Sequence, residues 1–354
     1  MPLYNFFSCC IPSRPLKKEH AFLLDMPDVV TKEIFKNLDF GSIRMLRKVC
    51  HAFRDYIDCV KPDSNLKSIE MYVLQDMIFG LLSSPSQSTE DIKFSYKKYN
   101  ELCKGLWGPR YAKFKNNTFD LYVDDSLWPA LKHQKSLLDE LCVMTFMDLV
   151  KNRQPVPQAD GRLVAQNFEM LFDSLINALE SRNRLLQVKS LIISVQGGDQ
   201  LIQLLRHVDL KILKSLEVYR RLETESSYYY DEDNNEFVLD LDLLKDCKNL
   251  EKLHVVRFAV CSPFRMFTHI PDLKVHMQTI YCEDVLRFMQ TTENSKISVS
   301  SQIRFGEFPD KSRFMEAIGL ADDGSKPVHV FPSKLSLTYH PDLKCMDFSW
   351  EHNS

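Results

Sequence analysis

Few residues in this chain are spaced for chemistry. The most suggestive stretch is Ser194-Val195-Gln196-Gly197-Gly198-Asp199-Gln200, where two glycines follow a strand-like run and precede a helix-like one. Backbone N–H groups at such a helix start can bind an anion. The stretch lacks the Lys-Ser/Thr of a phosphate loop and the third glycine of a dinucleotide fingerprint, so a plain strand-to-helix turn is the preferred reading. Asp124-Asp125 and Asp322-Asp323 pair carboxylates in turn-like sequence, without the setting of a catalytic acid–base pair. The ten histidines are dispersed, and His51, His207 and His254 fall inside helical or strand patterns. None of the ten cysteines forms a Cys-x-x-Cys pair, which argues against a structural zinc site. His-Glu-x-x-His and nucleophile-elbow motifs are missing. No residue is assigned a catalytic or metal-ligating role and no cofactor is expected, although catalytic groups far apart in sequence would escape such a search.

Two other features invite a function. Cys9-Cys10, after Phe6-Phe7, is a candidate for S-acylation, the alternative being an unstructured tail; Pro2 excludes N-myristoylation. The acidic stretch Tyr228 to Phe237 reads as a solvated loop, with contact to a basic target as the other possibility.

With chemistry set aside, the elements come forward. The chain has 354 residues, 44% hydrophobic and 26% charged, with a formal net charge of -3. That is an ordinary globular composition, long enough for a small module plus a larger unit. There is no basic field of the kind that drives nucleic-acid binding. No apolar run has the length of a transmembrane segment, and the N-terminus does not read as a secretory signal. The expected location is therefore cytoplasmic or nuclear, where most of the thiols act as small apolar side chains.

Three short amphipathic helices fit Leu24 to Val60. The first opens at Met26-Pro27-Asp28, proline suiting a helix start because it has no N–H to leave unpaired. Val30, Ile34 and Leu38 then recur on one face. Asp39 can cap the second helix, which carries Ile43, Leu46 and Val49 with Arg44, Arg47 and Lys48 mostly between them. The third holds Phe53, Ile57 and Val60 and ends at Lys61-Pro62. A module this small has more apolar residues than its own core needs, which points to a partner-binding face. A DNA-binding helix-turn-helix fits less well: Asp25 to Lys61 holds seven basic and six acidic residues, a net of +1.

The ordered set Met26-Pro27, Val30, Ile34, Leu38, Ile43, Leu46-Arg47, Val49-Cys50 and Phe53-Arg54 resembles an F-box. Met replaces the family's usual Leu and Phe its common Trp, both keeping the apolar character. The resemblance implies docking onto a Skp-type adaptor, and through it onto the cullin and RING subunits of an SCF ubiquitin ligase. By position, it makes Met26, Pro27, Val30, Ile34, Leu38, Ile43, Leu46, Val49 and Phe53 the adaptor-binding candidates. Several of these are expected to fill the module's own core instead.

Beyond the helices, Ser83 to Ser88 reads as a polar loop, flanked by strand-like runs. A hairpin is expected around Asn116-Asn117 with an exit at Trp128-Pro129, then a helix from Leu131 to Leu149 and a loop from Lys151 to Gly161. An amphipathic helix follows, with Val164, Phe168, Leu171, Phe172, Leu175 and Leu179 on its apolar side. After Leu185 an apolar-x-x-Leu-x-Ile/Val pattern recurs, starting at Val188, Leu213, Leu250 and Ile270 with steps of 25, 37 and 20 residues. Ser333-Lys334-Leu335-Ser336-Leu337 is a weaker fifth echo. This is similar to the strand-then-helix unit of leucine-rich repeats, which stack because no unit buries its apolar face alone; an ordinary α/β domain is the alternative.

An F-box joined to such a region resembles the nematode group of F-box proteins with a C-terminal FTH domain. The expected fold class is mixed α/β, a three-helix F-box followed by a leucine-rich-repeat-like α/β domain. The expected divisions are a flexible tail at 1–20, the F-box at 21–62, a connecting α+β region at 63–160 and the FTH-like domain at 161–350. The resemblance implies a non-catalytic substrate receptor whose C-terminal domain holds a protein target, the identity and site of which it does not give. The alternative is an interaction scaffold outside ubiquitin transfer.

Overall fold

A computed structural model describes residues 26–85, 91–99, 102–107, 110–114, 122–145, 161–221, 237–294, 299–319, 328–330 and 335–350. The predicted N-terminal tail, the Asn116-Asn117 turn, the 151–160 loop, Asp322-Asp323 and most of the acidic stretch lie outside these residues.

Three helices open the fold: α1 (Asp28–Lys36), α2 (Phe40–Arg47) and α3 (His51–Val60). Pro27 precedes α1 as its N-cap. The Asp39 carboxylate caps α2, accepting from the Ser42 N–H at 2.6 Å. Lys61 ends α3 in the left-handed region with φ 48°. A small core of Phe35, Ile43 and Ile57 holds the helices together, with Leu38, Leu46, Phe53 and Tyr56 packed around it. Arg47 donates two hydrogen bonds to Asp58, at 2.8 and 2.9 Å, tying α2 to α3.

All the strands described join one sheet of fifteen. Its middle is a parallel block made by β1 (Ser68–Val73), β6 (Leu138–Thr145), β7 (Val188–Val195), β8 (Ser215–Arg220), β10 (Lys252–Val260), β11 (Asp272–Thr279) and β12 (Val299–Glu307). Beyond β1 the sheet continues antiparallel through β2 (Met77–Ser83), β3 (Ile92–Tyr99), β4 (Leu102–Trp107) and β5 (Arg110–Phe114). Beyond β12 it continues antiparallel through β15 (Cys345–Trp350), β14 (Ser336–His340) and β13 (Val328–Val330). The short β9 (Val238–Leu239) pairs with β10. Gly80 of β2 is required by its neighbours, since a Cβ there would lie 2.6 Å from the Glu70 carbonyl oxygen and 2.1 Å from Phe94.

The recurring leucine of the sequence pattern has a structural meaning. Leu191, Leu216, Leu253 and Leu273 stand side by side in register, extended by Leu141 of β6 and Ile69 of β1. All six are buried in one continuous core. Against that face pack α5 (Gly161–Glu180), α6 (Gly198–Leu205), α7 (Cys282–Glu293) and α8 (Lys311–Ala317), through residues such as Phe168, Leu201, Phe288 and Phe314. Every apolar residue predicted for α5 is buried. The 3-10 turn Asp242–Asp246 takes the place of a helix in "LDLDLLKDC".

Three expectations are corrected. The helix expected from Leu131 is not continuous over its described part: α4 (Trp128–His133) ends early, and β6 follows at Leu138. Leu141 to Thr145 are all buried, and a strand covered on both faces reads as an unbroken apolar run that spacing does not separate from a helix. Where the expected hairpin should end, the described residues are helical, a π turn at Val123–Leu127 running into α4, so Trp128-Pro129 starts a helix instead of leaving a strand. The fifth echo lies in β14, whose Leu337 faces Phe348 across an antiparallel pair, off the parallel leucine ladder.

Candidate partner-docking surfaces

The helical module divides its apolar residues between inside and outside. On α1 the buried positions are Thr31 and Phe35, so of Val30, Ile34 and Leu38 only Leu38, just past the helix, packs against the module's core. Among the nine candidates, Met26, Pro27, Val30 and Val49 are exposed, and Ile34, Leu38, Leu46 and Phe53 are half-buried. Ile43 belongs to the module's core. Val29, 78% exposed, and Met45, 48% exposed, were not foreseen. Their four-residue neighbours Glu33 and Val49 would have flagged only Met45 as apolar-paired.

The module is not a free bead on a string. Phe40, the first residue of α2, is buried in the core of the sheet, and a Cβ on Gly41 would meet Ile92 of β3 at 3.4 Å. The segment after α3 is hydrogen-bonded to the start of α4 and to the residues that follow it. Ser64 Oγ donates to the Pro129 carbonyl at 3.0 Å. The wholly buried Gln134 accepts from the Leu66 N–H at 3.0 Å and donates to the Leu66 carbonyl at 2.9 Å. The Asp63 carboxylate accepts from the Lys135 N–H at 2.6 Å. A crevice between module and sheet is lined by Phe40, Arg44, Arg47, Ile57 and His133, among others.

The sheet offers a second surface, opposite the leucine ladder. Cys142, Met144 and Tyr219 form a separate buried cluster there with Tyr72, Ile192 and Val256, all from strands. The Tyr72 hydroxyl donates to Glu70 at 2.9 Å, and the Tyr219 hydroxyl to Glu217 at 2.8 Å. The sequence signal for this arrangement, Glu-x-Tyr occurring in both β1 and β8, is visible only once the strands are aligned.

The features first weighed for chemistry take structural roles. Gly197 is the N-cap of α6, with Asp199 in the first turn supplying the negative charge favoured there, so the glycine pair is a strand-to-helix turn. His254 pairs with Asp272 and His340 with Asp347, each at 2.9 Å. His51 begins α3 and His207 lies 4.0 Å from Glu180. Among the described residues no three His, Cys, Asp or Glu side chains gather as metal ligands. Burial pushes the thiols of Cys142 and Cys345 up to about 12 and that of Cys247 to about 11, which keeps them protonated and inert. Asp124 and Asp125 lie in the π turn. No described helix is long and apolar enough to cross a membrane.

A small helical module with apolar side chains left outside, joined to a repeat-like sheet, is the geometry to compare with known families. The F-box domain family matches residues 23–65, and the FTH domain family matches residues 169–318. The chain is an F-box protein with an FTH domain. No curated protein and no solved structure matches it. The F-box match covers α1 to α3 and the joint at Ser64. The FTH match runs from within α5 to just past α8, and so takes in β7 to β12 and the four leucines of the repeated pattern.

Proposed function

We propose that this chain is a substrate-receptor subunit of an SCF-type ubiquitin ligase. The F-box docks a Skp-type adaptor, which brings the cullin and RING subunits, while the C-terminal domain holds a protein target. The chain does no bond chemistry itself; it raises the effective concentration of target lysines at the activated ubiquitin.

The observation that carries this reading is the state of the F-box helices. Their core is already filled by Phe35, Ile43 and Ile57, yet Met26, Val29, Val30, Met45 and Val49 stay exposed on so small a module. Such surplus apolar surface marks a protein contact. The test is co-purification with a Skp-type adaptor, comparing wild type with a Val30→Glu/Val49→Glu double variant. Both positions are exposed, so thermal stability should hardly change. Wild type is expected to retain adaptor and cullin, and the double variant to lose adaptor binding at least tenfold, about 1.4 kcal/mol or more. Equal capture of both forms, or of neither, removes the ligase assignment.

A further inference from the structure

The antiparallel wing of β2 to β5 uses its two faces differently. On one, Phe94 and Tyr96 are buried against Tyr122 and join the main core, which Phe40 of the F-box also enters. On the other, the apolar side chains Met77, Phe79, Leu81 and Leu106 are only half-buried. Register orders this second face. Met77 lies beside Lys97, Lys97 beside Lys104, and Lys104 beside Lys113. Three lysines therefore stand in one row across β3, β4 and β5, about 10 Å from first to last. Lys97 and Lys113 are exposed and Lys104 is half-buried. The next row on the same face, ~7 Å along the strands, holds Phe79, Ser95 and Leu106.

Like charges set directly opposite one another weaken a sheet, so this row costs the fold stability. The segment concentrates charge as well. Ile92 to Phe114 holds six basic residues and one acidic, a net of +5, in a chain whose net is -3. Asp76 pairs with Lys97 at 3.3 Å, both side chains being about half exposed. Lys93, Glu70 and Asp91 lie toward the other end of the strands, where Glu70 accepts from the Tyr72 hydroxyl and Asp91 bonds to Ser83. The described groups of this face are thus four lysines and three carboxylates, with three of the lysines gathered at one end beside one of the carboxylates. A purely apolar partner would strip water from these ammonium groups without replacing it, and a basic one would be repelled. A nucleic-acid strand would gain from the lysines but not from Met77 or Leu106, and the Phe79 ring is stacked on Tyr72, centres 6.0 Å apart, instead of standing open to a base. A peptide segment with Asp or Glu beside an apolar residue matches both rows, its carboxylates on the lysines and its apolar side chain on Phe79 and Leu106.

We propose that the outer face of β2 to β5 is a docking surface for an acidic protein segment, one presenting Asp or Glu beside an apolar residue. Under the receptor reading above, that segment belongs to the target, and the inference rests on that reading for this word alone. The docking chemistry itself does not depend on the adaptor. Lysines near a sheet edge also deter edge-to-edge aggregation, and the experiment separates that role from docking.

The experiment pans the tagged full-length protein with a random-peptide display library. The enriched peptides are then titrated by fluorescence anisotropy against wild type and a Lys97→Gln/Lys104→Gln/Lys113→Gln variant, with light scattering recorded on both proteins. Enrichment of Asp or Glu next to apolar residues is expected. Affinity should fall about tenfold in the triple variant, and wild-type binding should weaken as salt is raised. A Lys113→Glu single variant, which alters one exposed side chain, should lose binding in the same direction if the triple variant proves unstable to heat. Overturning results are no enriched motif, a motif without acidic residues, or tighter binding of a labelled single-stranded oligonucleotide than of any peptide. Variants that aggregate more but bind peptide as wild type does would assign the lysines to edge protection and overturn the proposal too. Adaptor co-purification is scored on the same preparations. Loss of the adaptor with peptide binding intact would refute the ligase reading alone, and the reverse would refute the docking surface alone.

Discussion

At the junction of the F-box with the sheet, His133 is held neutral by burial. Its imidazole is pushed down to about 4, against the pull of Asp58 and helped by the positive charges of Lys132, Arg47 and Lys61. An unfolded histidine titrates near 6.5. Between these values the unfolded chain binds a proton that the folded chain refuses, so stability from this group is full above about pH 6.5 and falls as pH drops toward 4. A His133→Gln variant is expected to lose less melting temperature than wild type between pH 7 and pH 4.5. Parallel curves for the two proteins would show that His133 is not protonated on unfolding. Little of this was legible in sequence, because His133 sits in a stretch whose helical spacing ran on into β6. The capping by Asp39 and the stop at Lys61 were legible, since each depends on the residue and its immediate neighbours alone.

Among the elements, the joint between α3 and β1 sets the angle at which the docking module leaves the sheet. Gln134 is its pin, satisfying both backbone groups of Leu66. Replacing it with Leu leaves a buried donor and a buried acceptor unpaired, each worth about 1–3 kcal/mol. Dyes placed at the exposed Lys36 and Lys93 should report one narrow distance in wild type and a broader spread in Gln134→Leu. A wild-type distribution as broad as the variant's would mean the joint is a hinge. The sequence announced α3 before this joint and a strand after it but not the pin, because a buried glutamine is recognised by its partners and these are 68 residues away. The same reason hid the β1–β6 pairing. Helix periodicity and the Leu-x-Val pattern are written locally, whereas the strand that lies next to another is decided by where the chain returns.

The largest core runs through what the sequence presents as separate regions. The leucine ladder starts at Ile69 and crosses into the FTH domain through Leu141 and Leu191, while Phe40 reaches the same core from the F-box. Unfolding is therefore expected in one transition, with hydrogen exchange in α1 to α3 and in the parallel strands protected to the same urea midpoint. Phe40→Ala should lower both by about 3–5 kcal/mol in stability. Two midpoints, with only one moved by the substitution, would show that the F-box folds on its own. Under the receptor role proposed above, the buried position of Phe40 also makes partner docking depend on the integrity of the sheet. A copy whose sheet has melted loses the support under α2, and with it the shape of the proposed docking face. Docking would then read out the folded state of the distant sheet.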